Sequence, residues 1–243
     1  MRAGFVESVT EALLADGTLS RSDSVLAVCA GRRERDLLAE RGFSRVVISN
    51  LAAEGDMAPF EWSSQDAQAL DFDDGSFDFA LVVAGLHHCS SPHRALVEMY
   101  RVARKGIVAV EARDSLVTRS AVRLGLASDY ELSAVAAHGH RAGGVDDTSV
   151  PNFIYRWTEA EFRKVIRSAD PTGCPSFRFF YALDVPGRIP LASLAEPVLG
   201  ALARPFPRLA NTIAMTALRP QRLWPWLTRE DGTVVFDRCY RTT

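Results

Sequence analysis

Short apolar runs alternate with amphipathic stretches over the first half of the chain. Four runs are long enough for a strand and too short to cross a membrane: residues 25–28, 45–49, 79–86 and 107–112. The stretches between them carry apolar residues at helical spacing, and Ser91 followed by Pro92 is typical of a helix start. A strand that is apolar on both faces belongs in a parallel sheet covered by helices. The pattern therefore predicts an α/β fold with a doubly wound, Rossmann-like, mostly parallel sheet whose core spans about residues 22–112.

The pattern changes on either side of this core. Before it, Phe5, Val9 and Leu13 share one helical stripe, which predicts a helix over about the first fifteen residues. After it, residues 113–157 contain a helical stretch and then a loop rich in polar, glycine and aromatic residues. Long loops in compact domains are often lids or binding loops, so we expect a lid here.

The last third of the chain combines strand patterns with a proline-rich apolar segment. Thr158 to Glu161 forms a capping box that starts an amphipathic helix, and residues 177–183 then predict a sixth strand. We expect an antiparallel return strand at 233–241, after an insertion of one or two short helices at about 186–231. Its apolar residues must be buried somewhere, which leaves three interpretations open for 188–227: a substrate-pocket wall, a homodimer contact or a membrane-surface contact.

Composition adds exclusions to this picture. The 243 residues are 47% hydrophobic and 24% charged, with a net charge of -2, so they fit one domain over 1–243 and carry no basic footprint for nucleic acid. The four cysteines are far apart, which argues against a disulfide framework or a zinc motif, and we expect no metal. With no apolar run of about 20 residues, we expect no transmembrane segment and a soluble, cytoplasmic protein.

The order of motifs in the core resembles that of class I S-adenosylmethionine-dependent methyltransferases, most of all the small-molecule group similar to the ubiquinone-biosynthesis enzymes. The resemblance rests on SQDAQALDFDDGSFDFALVVAGLHH followed by SPHRALVEMYRVARKGIVAVE. It implies a sheet of seven strands and S-adenosylmethionine as the cofactor, with S-adenosylhomocysteine as the product.

The resemblance also implies which residues bind the cofactor. Asp66 is expected to accept a hydrogen bond from the adenine amino group, while the amide of Ala67 reaches a ring nitrogen. Asn50 stands where the family usually has an acid for the ribose hydroxyls, and Ala84 is expected beside the methionine half. The full expected set is Cys29, Ala30, Gly31, Asn50, Leu51, Asp66, Ala67 and Ala84.

The turn after the first strand departs from the family pattern. An acid and three glycines are usual there, whereas this chain has Ala27, Cys29, Gly31 and Arg33, so only the middle glycine remains. Small residues at Cys29 and Ala30 still let a ligand approach the backbone closely. The competing interpretation, a nicotinamide dinucleotide site, needs G-x-G-x-x-G and finds one of its three glycines.

Histidines supply the candidate chemistry. His87 and His88 follow the central strand, and in extended chain only one of two neighbours faces the cleft. An imidazole of ordinary pKa could accept a proton from an oxygen or nitrogen nucleophile, and a packing role is the alternative. In the lid, the candidates for substrate contact are His138, His140, Tyr155 and Arg156.

The resemblance implies transfer of a methyl group from S-adenosylmethionine to a small-molecule acceptor. The alternative is a methyltransferase-like binding or scaffold subunit without catalysis. Ala27, Cys29, Arg33 and Asn50 favour that alternative, and Asp66 argues against it.

Overall fold

The computed structural model describes residues 3–52, 55–183 and 209–240, and they form a three-layer α/β fold. The helices are α1 (Ala3–Ala15), α2 (Arg32–Glu40), α3 (Pro92–Val102), α4 (Leu116–Arg123), α5 (Leu132–Ala137) and α6 (Glu159–Ala169). The first strands are β1 (Ser24–Val28), β2 (Arg45–Asn50), β3 (Glu61–Ser64), β4 (Phe77–Val83) and β5 (Ala103–Ala112). They are followed by β6 (Ser176–Ala182), β7 (Thr212–Leu218), β8 (Leu227–Glu230) and β9 (Thr233–Phe236).

Seven of these strands make one sheet in the order β3-β2-β1-β4-β5-β7-β6. Strands β1 to β5 run parallel, and β7 is antiparallel to both of its neighbours. The predicted Rossmann-like fold with a mostly parallel seven-stranded sheet is therefore confirmed.

The central strands are buried because helices cover both faces of the sheet. Successive side chains of a strand point to opposite faces, so β1 supplies both halves of the core. Val25 and Ala27 pack with Leu13 of α1 and Leu38 of α2. On the other face, β1, α3 and α6 contribute Leu26, Val28, Leu96, Met99, Phe162 and Ile166.

The Asp78 carboxylate connects the beginnings of three neighbouring strands. It accepts hydrogen bonds from the amide and hydroxyl of Ser24, at 2.9 and 3.1 Å, and from Arg104 Nε at 2.9 Å. Lys105 Nζ lies 3.1 Å from the same carboxylate. The carboxylate thus links β1, β4 and β5 at the edge of the sheet opposite their carboxyl ends.

The late part of the chain differs from the prediction. The antiparallel return strand is β7, not 233–241, and β9 instead pairs with β8 in a separate hairpin. The predicted helical insertion at 186–231 is wrong over its described part, which contains β7 and β8. Residues 184–208, which include much of the proposed 188–227 contact surface, lie outside the described residues.

Three smaller differences follow from local chemistry. Strand β3 was not predicted, because EWSS has little apolar character and its strand lies at the sheet edge. The sequence predicts that the helix starting at Pro92 continues to Gly106, whereas α3 ends at Val102, since Ala103 already adopts extended backbone and begins β5. The helical stretch predicted after 113 is interrupted between α4 and α5.

Asp78 predicts a pH-dependent stability. Burial alone would raise its pKa, but hydrogen bonds from Ser24, Lys105 and Arg104 outweigh burial and lower the pKa from 3.8 to about 2. Because its pKa is lower in the folded state, ionised Asp78 contributes to the free energy of unfolding above pH ~4. This contribution is lost as the pH falls towards ~2. We expect Asp78→Asn to cost about 2 kcal/mol of unfolding free energy at pH 7.

Urea unfolding of the wild type and Asp78→Asn from pH 7 down to pH 3 measures this difference. It should shrink below about pH 4, whereas the exposed acid variant Asp71→Asn should track the wild type throughout. A difference between Asp78→Asn and wild type that stays constant with pH would contradict the assignment.

Candidate functional site

A cleft of about 290 Å³ opens where β1, β2 and β4 end, along their carboxyl edge. In open α/β sheets this edge is where ligands bind. The strand ends and the loop before β4 contribute Cys29, Asn50, Leu51, Gln65, Asp66, Ala67 and Ala84. The turn after β4 and the lid segment contribute His88, Cys89, Ala134, His138, Gly143, Gly144, Asp146 and Asp147. The cleft thus brings together six of the eight predicted cofactor residues.

The turn after β1 forms the floor of the cleft through Cys29. Its φ of 51° lies in the left-handed region, which favours glycine. The neighbouring Cys89 thiol and partial burial both raise the pKa of Cys29 well above the usual value. A Cβ on Gly85 would come within 2.5 Å of Cys29 Cβ, so this glycine is what lets the two turns pack together.

Ala30 and Gly31 lie behind this floor and do not line the cleft. The Ala30 amide donates to Ser49 O on β2. The Gly31 amide, at the N-terminus of α2, donates to Glu34 Oε2 at 3.0 Å. A buried carboxylate of the chain itself therefore holds a helix end that could otherwise bind an anion. Direct cofactor contact by these two residues stays a prediction.

The end of β2 presents Asn50 and Leu51 to the cleft. Asn50 Oδ1 accepts a hydrogen bond from the Leu51 amide at 2.9 Å, as is common where an asparagine ends a strand. That bond occupies one lone pair of the oxygen, and the side-chain NH₂ can still donate to a ligand hydroxyl.

Asp66 lies at the side of the cleft, in the loop between β3 and β4. Its Oδ1 accepts hydrogen bonds from the Gln68 amide at 2.8 Å and from Gln68 Nε2 at 3.3 Å. Within the described part of the chain no hydrogen bond to Oδ2 is present. The carboxylate is thus oriented through one oxygen and free to accept a bond from a ligand through the other.

Gln68 fastens the lid segment to the body of the protein. Its Nε2 donates to Asp146 Oδ1 at 3.0 Å, while its Oε1 accepts from Ser90 Oγ and the Ser91 amide at 3.0 and 2.7 Å. The Ser90 amide donates to the same Asp146 oxygen at 2.9 Å. Since Asp146 lines the cleft, this network closes the lid loop over the ligand-binding edge.

Glu111, at the end of β5, organises the turn that follows β4. Its Oε1 accepts the amides of Gly85 and Leu86 at 3.0 and 2.8 Å, and its Oε2 lies 3.2 Å from His87 Nδ1. The carboxylate is completely buried. It fixes the chain just after Ala84, another left-handed residue with φ 51°, and so shapes the wall of the cleft.

His87 and His88 lie in a 3₁₀ turn, Leu86–His88, and not in extended chain. Their rings therefore lie on the same side, with centroids 4.6 Å apart. Glu131 Oε2, from the residue before α5, is 3.1 Å from His87 Nε2 and 3.3 Å from His88 Nε2. The strand ends before these residues, so the extended-chain geometry used in the prediction does not apply to them, yet only one of the two, His88, lines the cleft.

The two histidines have different access to the cleft. His87 is buried, with Glu111 and Glu131 on its two ring nitrogens, whereas His88 lines the cleft. Burial would lower the pKa of His87, but the hydrogen bonds and charges of these two carboxylates raise it to about 10. The two carboxylates thus favour a positive charge at this position, and the geometry favours His88 as the residue that meets a ligand.

Of the four residues predicted to contact substrate, only His138 lines the cleft. Tyr155 donates its hydroxyl to Glu161 and packs against His93. Arg156 is engaged by Asp129 Oδ1 at 2.6 Å and by a backbone oxygen. His140 is an exposed left-handed residue in the lid loop. Tyr155 and Arg156 are thus engaged by other residues of the chain, and substrate contact by any of the four stays a prediction.

Several site residues were not predicted from the sequence. They are Gln65, Gln68, Cys89, Glu111, Glu131, Gly143, Gly144, Asp146 and Asp147. The only local signal was the Gly-Gly-Val-Asp-Asp run of the lid, which combines turn residues with paired acids. Glu111 and Glu131 become recognisable only when the fold brings them to His87.

A family model described as a methyltransferase domain matches residues 27–110. None of the curated proteins compared with the chain matches it in sequence. Within the described residues, every helix is too short or too polar to cross a membrane.

Solved structures share the fold at low sequence identity. Magnesium protoporphyrin IX methyltransferase from Synechocystis PCC 6803, with bound S-adenosylhomocysteine (SAH), is 16% identical with a TM-score of 0.56, over 89% of this chain and 83% of that one. A SAM-dependent methyltransferase from Archaeoglobus fulgidus is 13% identical, TM-score 0.51, over 88% and 94%. A chain from a complex that contains a methyltransferase activator of Haloferax volcanii is 17% identical, TM-score 0.53, over 84% and 85%. These similarities establish a Rossmann-like methyltransferase fold.

The Gln68 network predicts how the lid is held. Gln68→Ala removes the contacts to Asp146, Ser90 and Ser91, so we expect amide hydrogen exchange around residues 144–148 to accelerate about tenfold, for a loss of roughly 1–2 kcal/mol. Gln65→Ala is the matched control. Among the described residues, the Gln65 side chain forms hydrogen bonds only with Ser63 and Asp71, which are close to it in sequence. Equal exchange in the wild type and Gln68→Ala would show that other contacts hold the lid.

Proposed function

We propose that the protein transfers a methyl group from S-adenosylmethionine to a small-molecule acceptor. The observation that carries the proposal is the convergence of Asp66, Asn50 and Ala84 on one cleft at the carboxyl edge of the sheet. The family resemblance assigns these residues to the adenine, the ribose and the methionine half. They come from three different strand ends, and the fold brings them together in that order.

The chemistry of the cleft fits this cofactor. The described residues that line it include three carboxylates, Asp66, Asp146 and Asp147, and neither lysine nor arginine. S-adenosylmethionine carries a positive sulfonium and a positive ammonium group, so a negative cleft favours it by simple charge attraction. Cys29 and Ala84 are small and uncharged and leave room for close approach to the backbone.

A nicotinamide dinucleotide fits the same cleft poorly. Dinucleotide sites bind the pyrophosphate at the N-terminus of the first helix. Here the negatively charged Glu34 carboxylate already occupies that end of α2, where it accepts a hydrogen bond from the Gly31 amide. A pyrophosphate would have to displace a buried carboxylate and then face the acidic lining.

When bound, S-adenosylmethionine supplies an electrophilic methyl group on its sulfonium sulfur. The chain's own residues bind, orient and shield. Asp66 Oδ2 is placed to accept the adenine amino group and Asn50 to donate to the ribose. The lid segment, closed through Gln68 and Asp146, excludes water, and alignment in such a closed cleft lowers the barrier. We assign the acceptor end to His88, supported by His87.

The closed lid favours a small acceptor. Gly143, Gly144 and Asp147 line the cleft together with the strand ends, so the acceptor must fit beneath the lid loop or enter when it opens. Small-molecule sites are typically concave and enclosed in this way.

The alternative is a catalytically inactive methyltransferase-like binding or scaffold subunit. Two observations favour it: Asn50 replaces an acid and spends one lone pair on the Leu51 amide, and the Gly31 amide is engaged by Glu34. Both reduce the number of groups that could bind the cofactor.

Ligand-dependent melting separates these functions. A ligand that binds only the folded state raises the melting temperature, so we expect S-adenosylhomocysteine at millimolar concentration to raise it by several degrees, and NAD(H) to leave it unchanged. Absence of a shift with S-adenosylmethionine and S-adenosylhomocysteine would favour the scaffold function.

Asp66→Ala tests the residue on which the adenine assignment depends. It removes the acceptor for the amino group, so we expect the dissociation constant for S-adenosylhomocysteine to rise about tenfold or more, for a loss of roughly 1–3 kcal/mol. Calorimetry measures the constant, and circular dichroism checks the fold because Asp66 also accepts the Gln68 amide. Asp71→Ala, a nearby exposed acid, should bind like the wild type. Equal affinity of Asp66→Ala and wild type would remove the adenine assignment.

A further inference from the structure

We propose that His87, His88 and Glu131 form a binding site for one divalent transition-metal ion at the acceptor end of the cleft. One ring nitrogen of each histidine and one carboxylate oxygen of Glu131 all lie within 4.8 Å of one another. Two imidazoles and one carboxylate are a common protein ligand set for Zn²⁺ and Fe²⁺. Mg²⁺ and Ca²⁺ prefer sets made only of oxygen atoms.

The distances fit coordination of a single ion. Glu131 Oε2 lies 3.1 Å from His87 Nε2 and 3.3 Å from His88 Nε2. In a tetrahedral site with bonds of about 2.0–2.1 Å, neighbouring ligand atoms are about 3.3 Å apart. Two of the three distances between ligand atoms therefore match the edges of such a site, and the third is within 4.8 Å.

A second layer of contacts orients the proposed ligands. Histidines that bind metals usually donate their other ring N–H to a carboxylate or a carbonyl, which fixes the ring. His87 Nδ1 lies 3.2 Å from Glu111 Oε2, deep in the core. On the lid side, the buried Asn152 donates Nδ2 to Glu131 Oε2 at 3.3 Å. The contact with Glu111 engages Nδ1 of His87 and leaves its Nε2 facing Glu131 at the proposed ion position. The contact with Asn152 holds the Glu131 carboxylate.

The charges of the cluster also call for a cation. Glu111 is fully buried and Glu131 is partly buried, and both contact His87. In the described part of the chain no lysine or arginine forms an ion pair with either carboxylate. Buried charges are normally paired, and one divalent ion would balance two carboxylates. The alternative is that a proton on His87 takes this place, and the experiment below distinguishes the two.

The position of the site gives the ion access to a ligand. His88 lines the cleft and is partly exposed, so an ion held by three protein ligands would keep an open coordination position towards the cleft, as catalytic metal sites do. An acceptor hydroxyl bound there would lose its proton more readily. Only this role rests on the proposed methyl transfer, because ion binding itself does not depend on it.

Sequence spacing alone does not reveal the set. His87 and His88 are adjacent, which matches no regular ligand motif, and Glu131 follows His87 by 44 residues. The 3₁₀ turn brings the two rings to one side, and the lid delivers the carboxylate.

Equilibrium dialysis of the chelator-treated full chain with Zn²⁺ or Co²⁺ tests the inference. Exposed Cys174 and Cys239 are first replaced by serine, since free thiols bind these ions adventitiously. We expect one ion per chain, and visible Co²⁺ absorption typical of four or five ligands. His88→Ala and Glu131→Gln should each weaken binding at least tenfold. Both residues are partly exposed, so these variants should retain the fold.

His93→Ala is the matched control. His93 forms a similar pair with Glu161, at 2.9 Å, away from the cleft, and its replacement should leave ion binding unchanged. Absence of a stoichiometric ion, or equal binding by the wild type, His88→Ala and Glu131→Gln, would overturn the proposal and leave a proton in the cluster. S-adenosylhomocysteine binding is measured in parallel on the ion-free chain. Binding there supports the proposed methyl transfer even if no ion binds, so failure of the ion site can be told from failure of the proposed function.

Discussion

The buried carboxylate of Glu111 is the constraint on which the cleft depends. It satisfies two amides in the turn after β4 and contacts His87, so one side chain of β5 sets the conformation of its neighbour strand's end. An uncompensated carboxylate in the core would cost several kcal/mol. These contacts compensate it and hold Ala84, Gly85 and the histidine turn in a single arrangement.

From that fixed turn the structure reaches the lid at two points. Glu131 contacts the two histidines, and Asp146 accepts hydrogen bonds from Gln68 and the Ser90 amide. Apart from Trp157 at its end, the lid segment has Val135 of α5 as its one buried apolar residue. Polar contacts, not apolar packing, therefore hold it over the cleft, and a segment held in this way can open at modest cost.

The sequence predicted the half of the molecule in which local pattern and burial agree. Strands β1 and β4 are buried on both faces, so their apolar runs are visible without knowledge of the fold, and the residues at their ends could be placed. Asp66 and Ala67 follow from neighbouring motif residues. By contrast, β3 is a polar edge strand, and the return strand was assigned to a β-branched run, Thr233–Phe236, that forms an exposed hairpin. Glu111 and Glu131 gain their meaning from long-range contacts that no local pattern encodes.

The position of β7 has a consequence for the order in which the chain acquires structure during synthesis. Strand β7 lies between β5 and β6, so β6 has no partner in the sheet until β7 has been made. About 30 residues separate the end of β6 from the start of β7, which corresponds to roughly 2 to 6 seconds of translation. During that interval β6, with Phe177, Phe179 and Tyr181, is an unpaired aromatic edge, the kind of segment that aggregates or recruits chaperones. A nascent chain stopped before residue 212 would keep that edge permanently.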